Sequence, residues 1–263
     1  MFKDTDHMFV ICAYRESPFL SVCIESLLGQ NVKTDVIMTT STPNTHIVKL
    51  AEYYKVPLFI NNTSAGIASD WNFAYEHAGA KLVTLAHQDD IYCSDYVAQV
   101  LNHCNAVKNP LIFFSDYGEL RDEKVIKKNR ILNIKRLLLK PLESKSRQNS
   151  IFWRRRVLSL GSSICCPSVT LVKSAISAPL FNEQFKTNLD WDAWERISQR
   201  EGAFVYCPDI LVYHRIHAGS TTTELIKDNT RSKEDLLLLE RFWPKPIACF
   251  LNLFYSLAQK SNS

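Results

Sequence analysis

Two adjacent carboxylates, Asp89 and Asp90, come two residues after an apolar run that predicts a buried strand at residues 81–86. A helix is predicted to begin after them, with Ser94 as its N-cap. Ligands of open α/β sheets bind at the carboxyl ends of strands, which is where this pair would lie. Because neighbouring carboxylates repel each other, the ligand they favour is a hard divalent cation that carries a phosphate-bearing substrate. The alternative is a solvated loop in which Asp serves local capping.

A second polar cluster follows an apolar run near the end of the chain. Arg215 and His217 alternate, so on an extended segment their side chains face the same side. Gly219 and the hydroxyls of Ser220 and Thr221 come next, a composition that favours a mobile loop closing over a diphosphate. The alternative is a strand end with solvated basic side chains.

Composition places the chain among ordinary globular proteins. Its 263 residues are 46% hydrophobic and 22% charged, which allows one large α/β domain or two small ones. Residues 1–7 are polar and lack the apolar centre of a signal peptide, and no apolar run approaches the roughly 20 residues that span a bilayer. The eight cysteines include no CxxC pair and indicate reduced core residues. We therefore expect a cytoplasmic protein.

Positive charge is concentrated in residues 121–156, which contain 13 Lys or Arg and three acids, whereas the whole chain has a net charge of +4. Such a block indicates a partner. The segment also carries aliphatic residues, Phe152 and Trp153, a mixture typical of helices that contact anionic lipid. A solvated helical face is the alternative. Nucleic acid is the least favoured partner, because no nucleic-acid-binding motif is present.

Strand and helix signals alternate through the first half of the chain. Apolar runs predict strands at residues 8–14, 35–40, 57–61, 81–86 and 111–115, with helices between them. Thr42 followed by Pro43 predicts a helix N-cap with proline at the first helical position. This alternation favours a mostly parallel sheet with helices on both faces.

The second half has a different pattern. Residues 121–160 are predicted to be helical, 164–172 to form a strand interrupted by Pro167, and 190–200 to form a helix. A pair of strands is predicted at 203–213, broken at Pro208 and Asp209, and a last helix at 247–258. Because no Gly/Ser-rich linker separates the halves, we predict a single domain over 1–263. Its parts are residues 8–118, residues 119–223 and a helical tail (224–263).

Five segments in this order resemble the motifs of family 2 glycosyltransferases. The segments are Val10–Glu16, Ser26–Gln30, Asn61–Asn72, His87–Asp90 and Leu189–Arg196. The resemblance covers about residues 8 to 223 and implies a nucleotide-sugar-binding half (8–118) and an acceptor-binding half (119–223). It implies a GT-A, Rossmann-like α/β fold, with a mixed, mostly parallel central sheet flanked by helices, a helical basic insertion and C-terminal helices. It also implies an inverting, metal-dependent transferase of cell-surface polysaccharide biosynthesis, with a nucleotide-sugar donor and a glycan or lipid-linked acceptor.

The same resemblance implies a donor and metal site. It assigns Mn²⁺ or Mg²⁺ to Asp89, His87 and His217, and the donor to a set of residues along the strand ends: Ala13, Tyr14, Glu16, Thr40, Asn72, Gln88, Asp89 and Arg215. Two positions depart from the family pattern. His87 replaces the first Asp of the metal motif, and imidazole suits Mn²⁺ better than Mg²⁺. Thr39 and Thr40 replace an acidic pair that helps to hold the nucleotide base.

For the acceptor side, the resemblance assigns the general base to Asp190 and acceptor contacts to Trp191 and Asp192. A base opposite the leaving group predicts a single displacement and therefore inversion. Asp190 also suits an N-cap for the predicted helix, and the tryptophan of the motif suits core packing.

Two other functions remain open from the residues alone. A nucleotidyltransferase acting on sugar phosphates would share the sheet and the metal-binding carboxylates, but it normally has a Gly-rich loop after the first strand. Residues 14–18 contain no glycine. A non-catalytic module could use the basic block for binding.

Overall fold

Strands and helices alternate through the first half of the protein, as the sequence predicts. The computed structural model describes residues 1–63, 66–217 and 230–260. The strands are β1 (His7–Ala13), β2 (Asp35–Thr40), β3 (Leu58–Ile60), β4 (Leu82–His87) and β5 (Ile91–Tyr92). The helices are α1 (Leu20–Leu28), α2 (Thr45–Tyr54), α3 (Ile67–His77) and α4 (Tyr96–Asn105).

The second half adds strands to the same sheet and packs helices around it. The strands are β6 (Pro110–Arg121), β7 (Lys124–Ile126), β8 (Val169–Val172) and β9 (Ala203–Ile216). The helices are α5 (Arg130–Leu139), α6 (Lys145–Gln148), α7 (Ile151–Leu158), α8 (Leu189–Ser198), α9 (Thr230–Leu239) and α10 (Lys245–Lys260). The predicted Gly219–Thr221 loop lies outside the described residues.

One mixed sheet has the strand order β3-β2-β1-β4-β8-β6-β9-β5, with β7 paired to β6. Pairing is parallel among β1, β2, β3 and β4, antiparallel on both sides of β8, and parallel between β6 and β9. Strands β6 and β9 therefore run in the same direction as β1 and β4. The carboxyl ends of these strands share one edge of the sheet, and this edge collects the polar segments found in the sequence.

The core lies on both faces of the sheet, which explains why its strands are continuously apolar. Alternation along β1 sends Phe9 and Ile11 into one apolar cluster and Val10 into the other. The largest fully buried side chains, Trp191 and Trp194 of α8, belong to the cluster that contains Val10.

Strand β9 is one long strand, so the predicted strand pair at 203–213 is wrong. Ser115 of β6 pairs with Cys207, and the next residue, Asp116, pairs with Ile210. Pro208 and Asp209 therefore bulge out of the ladder, where the missing amide hydrogen of proline leaves no partner unsatisfied. Because the strand continues past the bulge, it carries Arg215 to the carboxyl edge of the sheet.

Two predicted helix N-caps are also wrong. Helix α4 has Asp95 rather than Ser94 at its N-cap. Helix α2 begins after Asn44, whose side chain accepts a hydrogen bond from Ile47 N, and not after Thr42. In both cases a second capping residue lies one or two positions further along the chain, and the spacing alone does not distinguish them.

The basic segment is less exposed than its composition predicts. Arg154 is fully buried and donates hydrogen bonds to the carbonyl oxygens of Gly202 and Arg200. Arg155 forms an ion pair with the buried Glu195. The prediction of a purely helical segment is also wrong, since β7 forms a hairpin with β6 before α5 begins. Among the described ranges, no helix combines the length and apolarity needed to cross a membrane.

Candidate active site

The loop after β1 is fastened to the loop after β4. Cys12 and His87 are partners in the β1–β4 ladder. Beyond them, the side-chain amide of Gln88 bridges the backbone of Tyr14: Tyr14 N donates to Oε1 at 2.9 Å, and Nε2 donates to Tyr14 O at 2.8 Å. This reciprocal pair fixes the segment after Ala13 beside the two carboxylates.

Asp89 is half-buried and has hydrogen-bonding partners from two segments, the loop after β1 and the carboxyl end of β9. The hydroxyl of Ser17 donates to its Oδ1. His217 Nε2 lies 3.2 Å from its Oδ2, and Arg215 Nε donates to its backbone oxygen at 3.0 Å. A carboxylate oxygen and an imidazole nitrogen that already face each other are ligand types that a divalent cation accepts.

Asp90 has a different environment and holds β9 in place. It is 1% exposed, and it accepts hydrogen bonds from His214 Nδ1 at 2.9 Å and from Arg215 N at 2.8 Å. Burial raises the pKa of Asp90, but His214 outweighs this effect and lowers the pKa below its ordinary value. Burial lowers the pKa of His214, and Asp90 reverses that, so the net shift is upward. Asp90 is therefore an ionised structural anchor.

Arg215 is buried and fixed on all sides. Its guanidinium lies 4.0 Å from the ring centroid of Phe19, and its Nη1 lies 2.6 Å from Glu123 Oε1. Glu123 is in the β6–β7 turn with a φ of 59°, so the hairpin tip reaches across to β9. His217 packs on the same Phe19 ring, with centroids 5.2 Å apart. Arg215 and His217 thus share one side of β9, as their alternation predicts.

His87 stacks on Trp71, with ring centroids 5.0 Å apart and planes inclined by 24°. Its Nε2 atom is buried without a hydrogen-bond partner among the described residues. Burial lowers the pKa of His87, whereas the negative charges of Asp90, Asp89 and Asp190 oppose this effect. The net shift is downward, so the ring is neutral at pH 7.

Asp190 lies in the first turn of α8 and is half-buried. Its Oδ1 accepts a hydrogen bond from Trp191 N at 2.8 Å, and its Oδ2 accepts one from Ser162 Oγ at 3.2 Å. Burial raises the pKa of this carboxyl, an effect that Arg231 and Lys135 oppose. The N-cap of the helix is Asn188, so the alternative role of Asp190 as an N-cap is wrong. A carboxylate with a raised pKa is suited to accept a proton.

The family model described as Glycosyl transferase family 2 matches residues 8–160, more than half of the chain. The chain belongs to this family. The match includes Asp89 and Asp90 and ends before Asp190 and β9. The sequence matches no curated protein.

Solved structures share the GT-A fold of this family 2 member. S. aureus TarS 1-349 in complex with UDP-GlcNAc aligns with a TM-score of 0.65 and 10% identity, over 94% of this chain and 70% of that one. The mannosyltransferase PcManGT from Pyrobaculum calidifontis, in complex with GDP-Man and Mn²⁺, aligns with a TM-score of 0.65 and 12% identity, over 94% and 68%. A longer S. aureus TarS structure aligns with a TM-score of 0.62 and 10% identity over 96% of this chain, which spans only 43% of that protein.

The two residues to which the family pattern assigns acceptor contacts are buried. Trp191 is 1% exposed, and its Nε1 donates to Leu158 O at 3.0 Å. Asp192 is fully buried and forms ion pairs with Arg196 at 2.9 Å and Arg241 at 2.8 Å. Both side chains are directed into the protein, where α8 packs against α7.

The side chain of Asn72, a predicted donor contact, holds the loop at Leu180 and Phe181. Its Oδ1 accepts hydrogen bonds from the backbone N–H groups of both residues, and its Nδ2 donates to Phe181 O at 2.8 Å.

The three predicted metal ligands do not converge. In the described part of the chain no three His, Cys, Asp or Glu side chains form a metal-binding group, because His87 is turned against Trp71.

The remaining predicted donor residues lie along the carboxyl edge. Thr40 is buried at the end of β2, and its hydroxyl accepts a hydrogen bond from Thr42 N at 3.1 Å. The ring of Tyr14 and the side chain of Glu16 are exposed in the loop after β1. These residues lie on one edge of the sheet.

Sequence reasoning missed Asp70 of α3. Its Oδ2 accepts a hydrogen bond from Ser41 Oγ at 2.7 Å, and its Oδ1 accepts one from Asn61 Nδ2 at 2.8 Å. These contacts join the ends of β2 and β3, next to Thr40. Ser41 and Asn61 each directly follow a strand. Their polar side chains at neighbouring strand ends are the sequence signal that an acidic residue of α3 could accept their hydrogen bonds.

Proposed function

We propose that this family 2 protein transfers a sugar from a nucleotide-sugar donor to a hydroxyl of a glycan or lipid-linked acceptor, with inversion at the anomeric carbon. One observation carries the proposal: Asp89, in the segment that the family model matches, lies at the carboxyl end of β4 against His217 and Arg215. The second carboxylate, Asp190, is in an unlike environment, where burial raises its pKa. Such a division suits separate roles in donor binding and proton transfer.

In this proposal Asp190 acts as the general base. The acceptor hydroxyl loses its proton to the Asp190 carboxylate while its oxygen forms a bond to the anomeric carbon. The bond between that carbon and the terminal phosphate oxygen of the donor breaks, and the nucleoside diphosphate leaves with the electron pair. A single displacement inverts the anomeric carbon. General-base assistance typically contributes about 10²–10⁴-fold to the rate.

We propose that a divalent metal is held by Asp89 and His217, whose Oδ2 and Nε2 atoms face each other. An oxygen and an imidazole nitrogen fit Mn²⁺ better than Mg²⁺, which prefers an all-oxygen shell. When bound, the metal would neutralise charge on the leaving diphosphate. Arg215 lies against Asp89 and adds a fixed positive charge at the same place.

We assign the rest of the donor to the carboxyl edge formed by the ends of β1, β2 and β4. The backbone of Ala13 and Tyr14, held by Gln88, would line the nucleotide. Thr40 and Glu16 flank the same edge. Thr40 stands where family members have part of the acidic pair that helps to hold the nucleotide base. In this proposal the carboxylate of Asp70, which Ser41 contacts, takes over that role.

We also propose that the protein acts in cell-surface polysaccharide biosynthesis at the cytoplasmic face of an anionic membrane, which it contacts through α5. Three apolar side chains project from this helix at a spacing of three: Ile131, Ile134 and Leu137 are 38%, 49% and 69% exposed. Exposed basic residues, Lys128 and Arg130, adjoin them. An apolar stripe beside positive charge favours an anionic lipid surface.

A panel of nucleotide sugars tests the proposed activity. Incubation with Mn²⁺ should release free nucleoside diphosphate from one of them, and the release should stop when a chelator is added. Absence of release from every member of the panel, with and without a glycan acceptor, would count against the function. Retention of the anomeric configuration in the product would contradict the single displacement.

A further inference from the structure

The β6–β7 hairpin places an acid on the arginine of the proposed donor site. Glu123 Oε1 lies 2.6 Å from Arg215 Nη1, although the two residues are 92 positions apart in the chain. The side chain of Arg215 is 5% exposed, whereas that of Glu123 is 76% exposed. This ion pair, the Glu123–Arg215 pair, therefore joins a buried cation to an acid that reaches it from the surface.

Three other contacts already hold Arg215. Its backbone N donates to Asp90 Oδ1 at 2.8 Å, its Nε donates to the backbone oxygen of Asp89 at 3.0 Å, and its guanidinium lies 4.0 Å from the ring centroid of Phe19. These contacts fix both ends of the side chain. What Glu123 adds is a negative charge on Nη1 and not the orientation of the guanidinium.

The turn that carries Glu123 has an unfavourable backbone for its sequence. Asp122 and Glu123 are the two residues between the paired Arg121 and Lys124, and their φ values are 47° and 59°. Two-residue turns of this kind favour glycine at the second position, because its φ is positive. A glutamate in such a conformation at the edge of a site indicates that its side chain has a role there.

The hairpin tip is also suited to move. Its second strand, β7, contains only the three residues Lys124–Ile126, which pair with β6. Glu123 and Lys124 are exposed, as is Val125, so few buried contacts hold the tip. Segments of this kind open at a lower free energy than the core of a protein. The tip can therefore leave Arg215 while the sheet stays intact.

A donor diphosphate would meet Arg215 where Glu123 contacts it. The proposed function places the diphosphate beside Asp89, whose backbone oxygen already contacts Arg215 Nε. Carboxylate and phosphate oxygens are both anionic acceptors for a guanidinium. Two such anions at one Nη1 group would repel each other. The carboxylate and the diphosphate therefore compete for the same cation.

We infer that the Glu123–Arg215 pair is an autoinhibitory contact, in which the carboxylate occupies the diphosphate position on Arg215 until a donor displaces it. This inference rests on the proposed function, which assigns Arg215 to the donor diphosphate. The exchange replaces one ion pair by another and changes no covalent bond. Because each anion excludes the other, the contact weakens donor binding, and donor binding releases the hairpin tip.

Calorimetry with nucleoside diphosphates measures this competition. UDP, GDP, ADP, CDP and dTDP are each titrated in Mn²⁺ into the wild type and into Glu123→Gln, which keeps the size of the side chain and removes its charge. Glu123→Gln should bind the preferred nucleotide about 2- to 5-fold more tightly, the range expected when a partly exposed ion pair no longer competes. Unchanged or weaker binding in this variant would overturn the autoinhibitory contact.

Two controls separate this contact from a general effect of charge. Asp122→Asn removes the same charge from the same exposed turn, leaves the Glu123–Arg215 pair intact and should not change the affinity. In an Arg215→Gln background, Glu123→Gln should bring no gain, because the acid acts through Arg215. A gain of equal size in either control would assign the effect to the charge of the hairpin as a whole and overturn the contact.

Hydrogen exchange locates the movement. Binding of the preferred nucleotide should speed the exchange of amides in residues 122–126 of the wild type, because the hairpin tip is released. In Glu123→Gln these amides should exchange faster than in the wild type even without nucleotide. Slower or unchanged exchange at 122–126 when nucleotide binds to the wild type would overturn the displacement.

The same titrations distinguish a failure of this contact from a failure of the proposed function. If none of the five nucleotides binds either protein, the proposed donor site is wrong, and the autoinhibitory contact is rejected with it. If a nucleotide binds both proteins with equal affinity, the donor site stands and the autoinhibitory contact alone is rejected.

Discussion

Asp90 and His214, 124 positions apart in the chain, form an ion pair at 2.9 Å that joins the end of β4 to the end of β9. The same carboxylate accepts the N–H of Arg215 at 2.8 Å. The neighbouring Asp89 is thereby placed against Arg215 and His217. One buried acid thus positions the groups around a more exposed one.

Replacing Asp90 by Asn should destabilise the fold by about 2 kcal/mol near pH 5, because the protonated His214 then loses its buried ionic partner. The pKa of Asp90 is lowered, so its contribution is complete above pH 3.8 and is lost as the pH falls through the folded-state pKa. The pKa of His214 is raised, so its contribution is complete below pH 6.5 and is lost as the pH rises through the folded-state pKa. Denaturant unfolding of the wild type and of Asp90→Asn, with a chelator present, measures the difference in their free energies of unfolding.

The control for this pair is a double-mutant cycle with His214→Gln. The double variant should be scarcely less stable than either single one, because both remove the same interaction. Equal destabilisation by Asp90→Asn at pH 5 and at pH 9 would show that the His214 charge has no part in it.

Replacing Asp89 by Asn should abolish metal-dependent donor binding and leave the fold intact, because Asp89 is half-buried and lies at the edge of the sheet. Calorimetry with the donor, in Mn²⁺ and then in chelator, gives the comparison. Asp35→Asn serves as the control, since this exposed acid lies at the opposite end of its strand. Donor affinity that depends on Mn²⁺ as strongly in Asp89→Asn as in the wild type would exclude Asp89 as the metal ligand.

The value of kcat/KM should fall at acidic pH, because the proposed base Asp190 must be ionised to accept a proton. The midpoint of this acid limb should lie above the ordinary Asp pKa of 3.8, because burial raises the pKa of Asp190. Lys135→Gln should move this limb to higher pH, since Lys135 stabilises the ionised form. Arg231→Gln should act in the same direction, and the exposed Lys128→Gln should not move it. A limb that stays fixed or moves to lower pH in Lys135→Gln would separate Lys135 from the base.

Binding to vesicles should depend on the apolar stripe of α5. Leu137→Asp should reduce sedimentation with vesicles that contain anionic lipid, and binding of the wild type should weaken with salt, since charges are screened over about 10 Å at 0.1 M. Leu237→Asp is the matched control, because Leu237 is 56% exposed on α9. If the wild-type protein does not bind anionic vesicles at low salt, the membrane proposal is wrong, and the proposal of transferase activity is unaffected.

Periodicity and strand-end position predicted much of this site. The apolar run before Asp89 established its place at the carboxyl end of β4, and alternation placed Arg215 and His217 on one side of β9. These inferences succeed because a strand fixes the direction of each side chain through its period of two.

Pairings between distant elements could not be predicted in the same way. Asp192 has the residue type of an acceptor ligand, but whether it faces a substrate or the guanidinium of Arg241 is decided by how α8 packs. Arg154 is a second example. It belongs to a run of three arginines that indicated a charged surface, but its side chain is buried and donates hydrogen bonds to backbone carbonyl oxygens. The partners of both residues lie too far along the chain for local patterns to reveal.

The turnover of Asp190→Asn tests the central claim most directly. Asn preserves the size of the side chain and its hydrogen bond from Trp191 N, so folding and donor binding should be retained. With a nucleotide sugar that the wild type uses, we expect kcat to fall by about 10²–10⁴-fold while the donor affinity, measured by calorimetry, stays the same. Near-normal kcat in Asp190→Asn would contradict the account, because the proton of the acceptor would then be accepted by another group.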